Sequence, residues 1–326
     1  MPGIKLVAAK AGQLLFVLWA VATILFLIFR LMPGNPLAAF ISPNFTEEQQ
    51  NILRHQFGLD RSLLEQYLLY LWNLAHFEFG ESFFYKKKVA ELVWQVFPNT
   101  LLLTFSALIV AYIFGILGGV LLAWKRGTWI EAVGIPAVLV TRAAPEFWLG
   151  MVLLAIFSFS LGWFPSGGAA TAGAEFDGMF GRVLTFDFAV HLFLPALTLA
   201  IYLQGLPLLL MRSTMIEVMD EDFVTLARMQ GFSERVVILR HAARNALLPV
   251  ATAFAIGVGY SVAGNVVVEL VFSWPGLGRL LVKAVQAHDY PLAQGAFLLI
   301  AIVMVTMNMA ADLLYRLLDP RIAHAG

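Results

Sequence analysis

The sequence predicts an all-α polytopic membrane protein with six transmembrane helices, read as one membrane domain over 1–326. Three observations predict it. Residues are 60% hydrophobic and only 13% charged, against roughly 25% charged in soluble domains. Mean hydropathy is +0.81. Six stretches come near the roughly 20 apolar residues that a helix needs to cross a bilayer core: Gln13–Leu31, Pro98–Trp124, Ile130–Leu161, His191–Arg212, Leu247–Phe272 and Pro291–Leu318.

The first stretch follows Lys5 and Lys10, as in a signal peptide. It is too long for an apolar signal core of roughly 7–15 residues, and it ends at Arg30 to Pro36 without a small-residue cleavage site, so a retained helix is expected. A long segment, Met32–Phe97, follows. Within it, Thr46-Glu47-Glu48-Gln49 reads as a capped helix start, and Glu65 to Trp72 is amphipathic and aromatic, suited to a membrane face or to the underside of a partner. The third stretch contains Pro136 and Pro145, so a kink or an interfacial turn is expected there. Phe157, Phe159, Trp163 and Phe164 near its end read as an interfacial aromatic belt.

Lysine and arginine set the expected orientation. An inside N-terminus gathers Lys5, Lys10, Lys125, Arg126, Arg316, Arg321 and the five arginines between Met211 and Pro249 on one side. Both termini are then cytoplasmic, and 32–97 is external together with its Lys86-Lys87-Lys88 run, which counts little because long loops weigh weakly in this rule.

Missing chemistry narrows the function. There is no cysteine, so disulfides and thiolate sites are excluded, and the six histidines are scattered without metal-ligand spacing. No metal site is expected. Net charge is +0, leaving no basic field for nucleic acid. The dipeptide Gly-Lys occurs nowhere, so there is no phosphate-binding P-loop, and the metalloprotease and nucleophile-elbow motifs are also absent. Energy must come from a partner or from an ion gradient. Charged and amide groups inside the spans are the candidates for lining a pathway: Arg142, Glu146, Asn265 and Glu269. Arg142 and Glu146, four apart in the third span, share a helix face and stand within reach of pairing. Asn308 and Asp312 read as an interhelical hydrogen-bonding pair.

One polar segment interrupts this apolar chain between spans four and five, at 213–247. Glu217, Asp220, Glu221 and Asp222 precede a helical run, and acids complement a helix N-terminus. Gly231 stops that run, and Ser233 is placed to cap a second short helix. Phe223, Leu226, Ala227 and Gln230 recur at helical spacing, giving a small apolar face suited to a partner's groove. The alternative is a surface loop that packs on the chain's own helices.

Several stretches in order carry a resemblance that covers nearly the whole chain. They include FRLMPGNP (Phe29–Pro36), FPNTLLLT (Phe97–Thr104), PEFWLGMVLL (Pro145–Leu154), LGWFPSGG (Leu161–Gly168), DFVTLARMQGFSERVVILRHAARNALLPV (Asp222–Val250) and VVVELVFSWPGLGRLLVKAVQAHDYPLAQG (Val266–Gly295). The chain resembles the permease subunits of binding-protein-dependent ABC importers of the dipeptide, oligopeptide and nickel branch. It is most similar to the first permease of the pair, which has a long external segment after helix one. The resemblance implies a bacterial inner-membrane subunit without catalysis of its own. It implies a second homologous permease, two ABC ATPase subunits that bind the ATP and magnesium, an external substrate-binding protein and surrounding lipid. It also implies that Ala227 and Gly231 mark the coupling helix and its turn. Thr225 and Leu226 stand where the general motif has Glu-Ala, and its Leu-Pro pair comes late, at Leu248-Pro249. Di- or oligopeptides are the expected substrate, with nickel complexes, opines and other small conjugates as alternatives within the class. From other classes stand an ion-gradient secondary transporter and an intramembrane enzyme.

Overall fold

The computed structural model describes residues 2–31, 60–261 and 265–318. In chain order the helices are α1 (Pro2–Leu31), α2 (Leu63–Ala75), α3 (Val89–Trp124), α4 (Trp129–Ala143) and α5 (Glu146–Leu153), which continues as a π-helical turn over Leu154–Ser160. There follow α6 (Gly178–Val183), α7 (Phe186–Leu203), α8 (Gly205–Met219), α9 (Asp222–Met229) and α10 (Glu234–Val236). A π-helical segment, Val237–Ala242, leads into α11 (Ala243–Ser261), followed by α12 (Val266–Val271), α13 (Leu277–Gln286) and α14 (Tyr290–Leu318). Among the described residues the extended structure is a lone antiparallel bridge, Glu81 with Lys88.

Gly12–Arg30 of α1, α3, α7 and Tyr290–Met309 of α14 are each long and apolar enough to cross a membrane. α4 and α5 with its π turn add a fifth span only as a pair, bent by 104°. The break falls at Ala144, whose ψ of 136° is extended because Pro145 follows. The expected third span is thus two helices, and Arg142 and Glu146 lie on opposite sides of the bend rather than on one face. The fifth expected stretch is not one helix either: it divides into α11 and the short α12, with residues 262–264 outside the described residues. The described residues therefore give four to five candidate spans rather than six. The fourth stretch divides at Gln204, between α7 and α8. The Thr46 helix start and the segment after Leu31 lie outside the described residues, as does the side chain of Asp312.

The chain forms two compact units. The first comprises Met1–Asn99 and Gly276–Thr306. In it, Thr23 and Tyr67 hydroxyls meet at 2.8 Å, and Phe26 packs against Tyr67 and Tyr70, joining α1 to α2. Burial pushes the Tyr70 hydroxyl up to about 12, with Tyr67 adding to the shift, so it stays protonated. Ser62 begins α2 with a reciprocal capping box to Glu65. Leu64, Leu68 and Trp72, one face of α2 at helical spacing, are exposed. Asp289 holds the turn that precedes α3. Its buried carboxylate accepts the Ser82 hydroxyl at 2.5 Å and the Phe83 and Phe84 N–H groups at 3.1 Å each, and it also caps α14 through Leu292 N–H at 3.3 Å. The Lys86-Lys87-Lys88 run lies on this turn, with Lys86 at φ 54°.

The second unit comprises Thr100–Pro275 and Met307–Gly326. Its main seam is glycine. A Cβ on Gly115, Gly118 or Gly119 of α3 would come within 2.8 Å of Pro207, 2.8 Å of Leu208 or 2.6 Å of the Leu208 carbonyl. Hydrogen atoms here let two backbones touch, as small residues do between membrane helices. Arg212 of α8 pairs with Glu131 of α4, Nε to Oε1 at 2.9 Å, and Glu131 also accepts Gly127 N–H at 2.7 Å. Around the seam one apolar core joins Leu108, Tyr112 and Val120 of α3, Met211 and Met215 of α8, Val224 and Ala227 of α9, and Val237 and Ile238 of the π segment.

Gly119→Val tests the seam. The atoms that its side chain would meet are two backbone atoms and the Met211 Cβ, none of which can swing aside, so we expect destabilisation at the upper end of the roughly 1–3 kcal/mol typical of overpacking, or loss of folded protein. Gly12→Ala, inside α1 where nothing lies within 4 Å, should not destabilise. Thermal unfolding of the purified variants in detergent distinguishes them.

Candidate functional site

Two places in the second unit have the make-up of functional sites. The first is the hairpin built by α8, α9 and α10. α9 closes with a two-bond turn: Gly231 N–H donates to the Arg228 carbonyl at 3.0 Å and Phe232 N–H to the Ala227 carbonyl at 3.4 Å. This paired geometry requires a left-handed residue, and Gly231 supplies it at φ 83°. Arg228 reaches over the turn to Glu234 at 3.1 Å. Ser233 begins α10 without a side-chain cap bond. The second helix is not short as expected, because α10, the π segment and α11 run on as one rod through Pro249.

α9 has two faces. Val224 is fully buried and Ala227 is only 4% exposed, both in the core described above. Phe223, Leu226, Met229 and Phe232 point outward; Leu226 is 54% and Met229 79% exposed. Gln230 and Gly231 are exposed at the turn. The five residues singled out in this segment therefore divide: Ala227 packs inward, whereas Phe223, Leu226, Gln230 and Gly231 are open. Met229 and Phe232, which extend the open edge, were legible only once the turn geometry was fixed.

The second place is a cavity of about 500 Å³. α3 lines it with Leu108 and Tyr112, α5 with Glu146, α7 with Leu199 and Tyr202, and α11 with Ile256 and Gly257; Asn265 stands at the end of α12. Gly257 leaves room for the Tyr112 hydroxyl, which would lie 3.3 Å from a Cβ there. Of the four polar candidates inside the spans, Glu146 and Asn265 share this wall. Arg142 and Glu269 do not line it. Arg142 is exposed and runs beside Gly205, where a Cβ would lie 3.2 Å from its Cδ. Glu269 is 0% exposed and accepts the Thr100 hydroxyl at 2.6 Å. One turn away Asn265 Nδ2 donates to Thr104 Oγ1. Thr100 and Thr104 on α3 thus meet Glu269 and Asn265, with both pairs four residues apart. Below this ladder Gly168 N–H donates to the Phe272 carbonyl at 3.0 Å, and Trp274 is fully buried against Phe188.

Long apolar helices, a bent helix pair, a half-open cavity among them and a glycine-closed polar hairpin are the architecture of a helical membrane protein with a site between its helices. Residues 115–324 match the family described as "Binding-protein-dependent transport system inner membrane component", and residues 4–104 match its N-terminal companion. The chain belongs to this family. It is 36% identical over 333 residues to the di/tripeptide transport system permease protein DppB of Pseudomonas aeruginosa (strain UCBPP-PA14), covering 98% of this chain and 99% of that one. It is 35% identical to the oligopeptide transport system permease protein AppB of Bacillus subtilis (strain 168), over 94% of this chain and 96% of that one. The glutathione transport system permease protein GsiC of Escherichia coli (strain K12) is 34% identical, with 94% and 95% covered. Among solved structures, a chain of the inward-facing MetNI methionine ABC transporter shares the fold, with TM-score 0.56, 16% identity, and 70% of this chain and 96% of that chain covered.

The ladder makes a stability prediction. Thr104→Val strips the buried Asn265 amide of its acceptor and should cost about 1–3 kcal/mol, read as a lower Tm in detergent. Thr104→Ser keeps the hydroxyl and should retain most of the stability.

Proposed function

We propose that this chain is the membrane-spanning subunit of an ATP-driven importer of di- and oligopeptides. It forms half of the translocation pathway, and a second homologous permease forms the other half. Two ABC ATPase subunits bind ATP and magnesium, and an external binding protein delivers the substrate. Both termini and the α9 hairpin face the cytoplasm of a bacterial cell, and the 32–97 segment faces outward. The relatives at 34–36% identity, named for dipeptide, oligopeptide and glutathione transport, support the peptide assignment.

The single observation that carries the coupling mechanism is the two-faced α9. Its inner side is welded to the chain's own core, while Phe223, Leu226, Met229 and Phe232 remain open beside a rigid turn. An apolar helix edge of this kind fits a groove on a partner. Closing of the ATPases on ATP then moves α9, and the shared core passes that motion to α3, α8 and α11. The cavity wall follows, so the site opens alternately to the two sides.

Gly231→Val tests this. A β-branched residue resists φ 83°, so the turn and the open edge lose their alignment. The complex should still insert and fold, but ATP hydrolysis should no longer respond to loaded binding protein, and uptake should fall at least tenfold. Wild-type coupling in a folded Gly231→Val complex would refute the assignment of α9.

A further inference from the structure

The cavity is chemically lopsided. Its volume of about 500 Å³ lies within the roughly 300–1,000 Å³ of small-molecule pockets. Its walls are aliphatic and aromatic, with Leu199 and Leu206 on one side and Ile256 on another. Its polar lining residues are few: Tyr112, Tyr202, Asn265 and Glu146. The Asn265 Nδ2 is committed to Thr104, which leaves its carbonyl oxygen as the free end. Among the described residues no hydrogen bond or ion pair reaches Glu146, and Arg142, its nearest cation in sequence, lies beyond the bend at Ala144. The wall therefore offers one charged group, an acid, and acceptors beside it. Among the described residues it carries no basic residue for an anionic ligand.

A carboxylate that the chain leaves without a donor, in apolar surroundings, is complemented by a cation that brings its own donors. We propose that this cavity is a transit subsite for the ammonium end of a peptide, with Glu146 as its counter-ion. The proposal rests on the reading of the chain as a peptide permease. A primary ammonium has three N–H donors. Glu146 takes the charge, and the Asn265 carbonyl and a tyrosine hydroxyl take the remaining bonds. The aliphatic walls accept the first side chain with little regard to its shape, so the subsite discriminates by charge. The placement also links the subsite to the drive: Tyr112 and Leu108 belong both to the cavity wall and to the core that holds α9. Movement of that core displaces acceptors from around the ammonium and weakens its hold when release is due.

The test uses the complete importer in proteoliposomes, with saturating binding protein loaded with a dileucine dipeptide. Maximal uptake, ATP hydrolysis and Tm are read for wild type, Glu146→Gln and Glu146→Asp. The expected result for Glu146→Gln is a loss of uptake of about tenfold, with binding-protein-stimulated hydrolysis kept within about twofold and Tm unchanged. Glu146→Asp, which keeps the charge, should retain most of the uptake. Wild-type uptake by Glu146→Gln overturns the proposal. So does joint loss of uptake and hydrolysis, or a fall in Tm shared by both variants, because either makes Glu146 a part of the framework. If the wild-type complex itself imports no dipeptide, the peptide reading has failed; if it does and Glu146→Gln matches it, only the subsite has failed.

Discussion

The close approach of α3 and α8 is the constraint on which the second unit depends. Three glycines in two turns of α3 withdraw that helix's own side chains from the contact, so that Pro207, Leu208 and the α8 backbone lie directly against it. Helices in lipid gain little from hydrophobic exclusion, so contact area and interhelical polar bonds decide their association. The seam supplies the area. The Arg212–Glu131 pair at the middle of α8 ties it also to α4. With α8 fixed, Met211 and Met215 close over Val224 and Ala227, and α9 has a floor to stand on. Remove the seam and the hairpin loses its mounting.

The same core explains how one short helix keeps one buried and one open face. Val224 and Ala227 face inward, and the next positions around α9 face out. A helix of eight residues is marginal alone, so α9 exists because its inner face is packed and its ends are closed. The Gly231 turn and the Arg228–Glu234 pair close one end. The exposed pair adds little energy by itself, but it spans the turn and limits the directions in which the turn can flex.

Much of this was legible in the residues. The turn at Gly231 was, because glycine after a helical run has few other uses in so regular a segment. The break near Pro145 was legible in kind but not in degree, since a proline announces a disturbance without fixing its angle. The division of the fifth span was not, because hydropathy registers apolar length and is blind to where a helix stops within it. For the same reason Arg142 and Glu146 looked like neighbours on one face. The glycine seam was hidden because glycine in a helix reads as a cost until the opposing backbone is known. Asp289 was missed entirely: its donors at Ser82, Phe83 and Phe84 lie some two hundred positions away in the chain, and no local pattern points to them.

The uninterrupted run from Glu234 to Ser261 has a mechanical corollary. At 1.5 Å per residue this rod is roughly 40 Å long, with the hairpin at its base and Gly257 near its tip. Over that length a small tilt carried from the foot becomes a displacement of ångströms at the head. The π turns at Val237–Ala242 lie close to the foot, where a wider, less regular coil can act as a wrist. Such a joint would let the angle of the base adjust while the tilt is still carried up the helix.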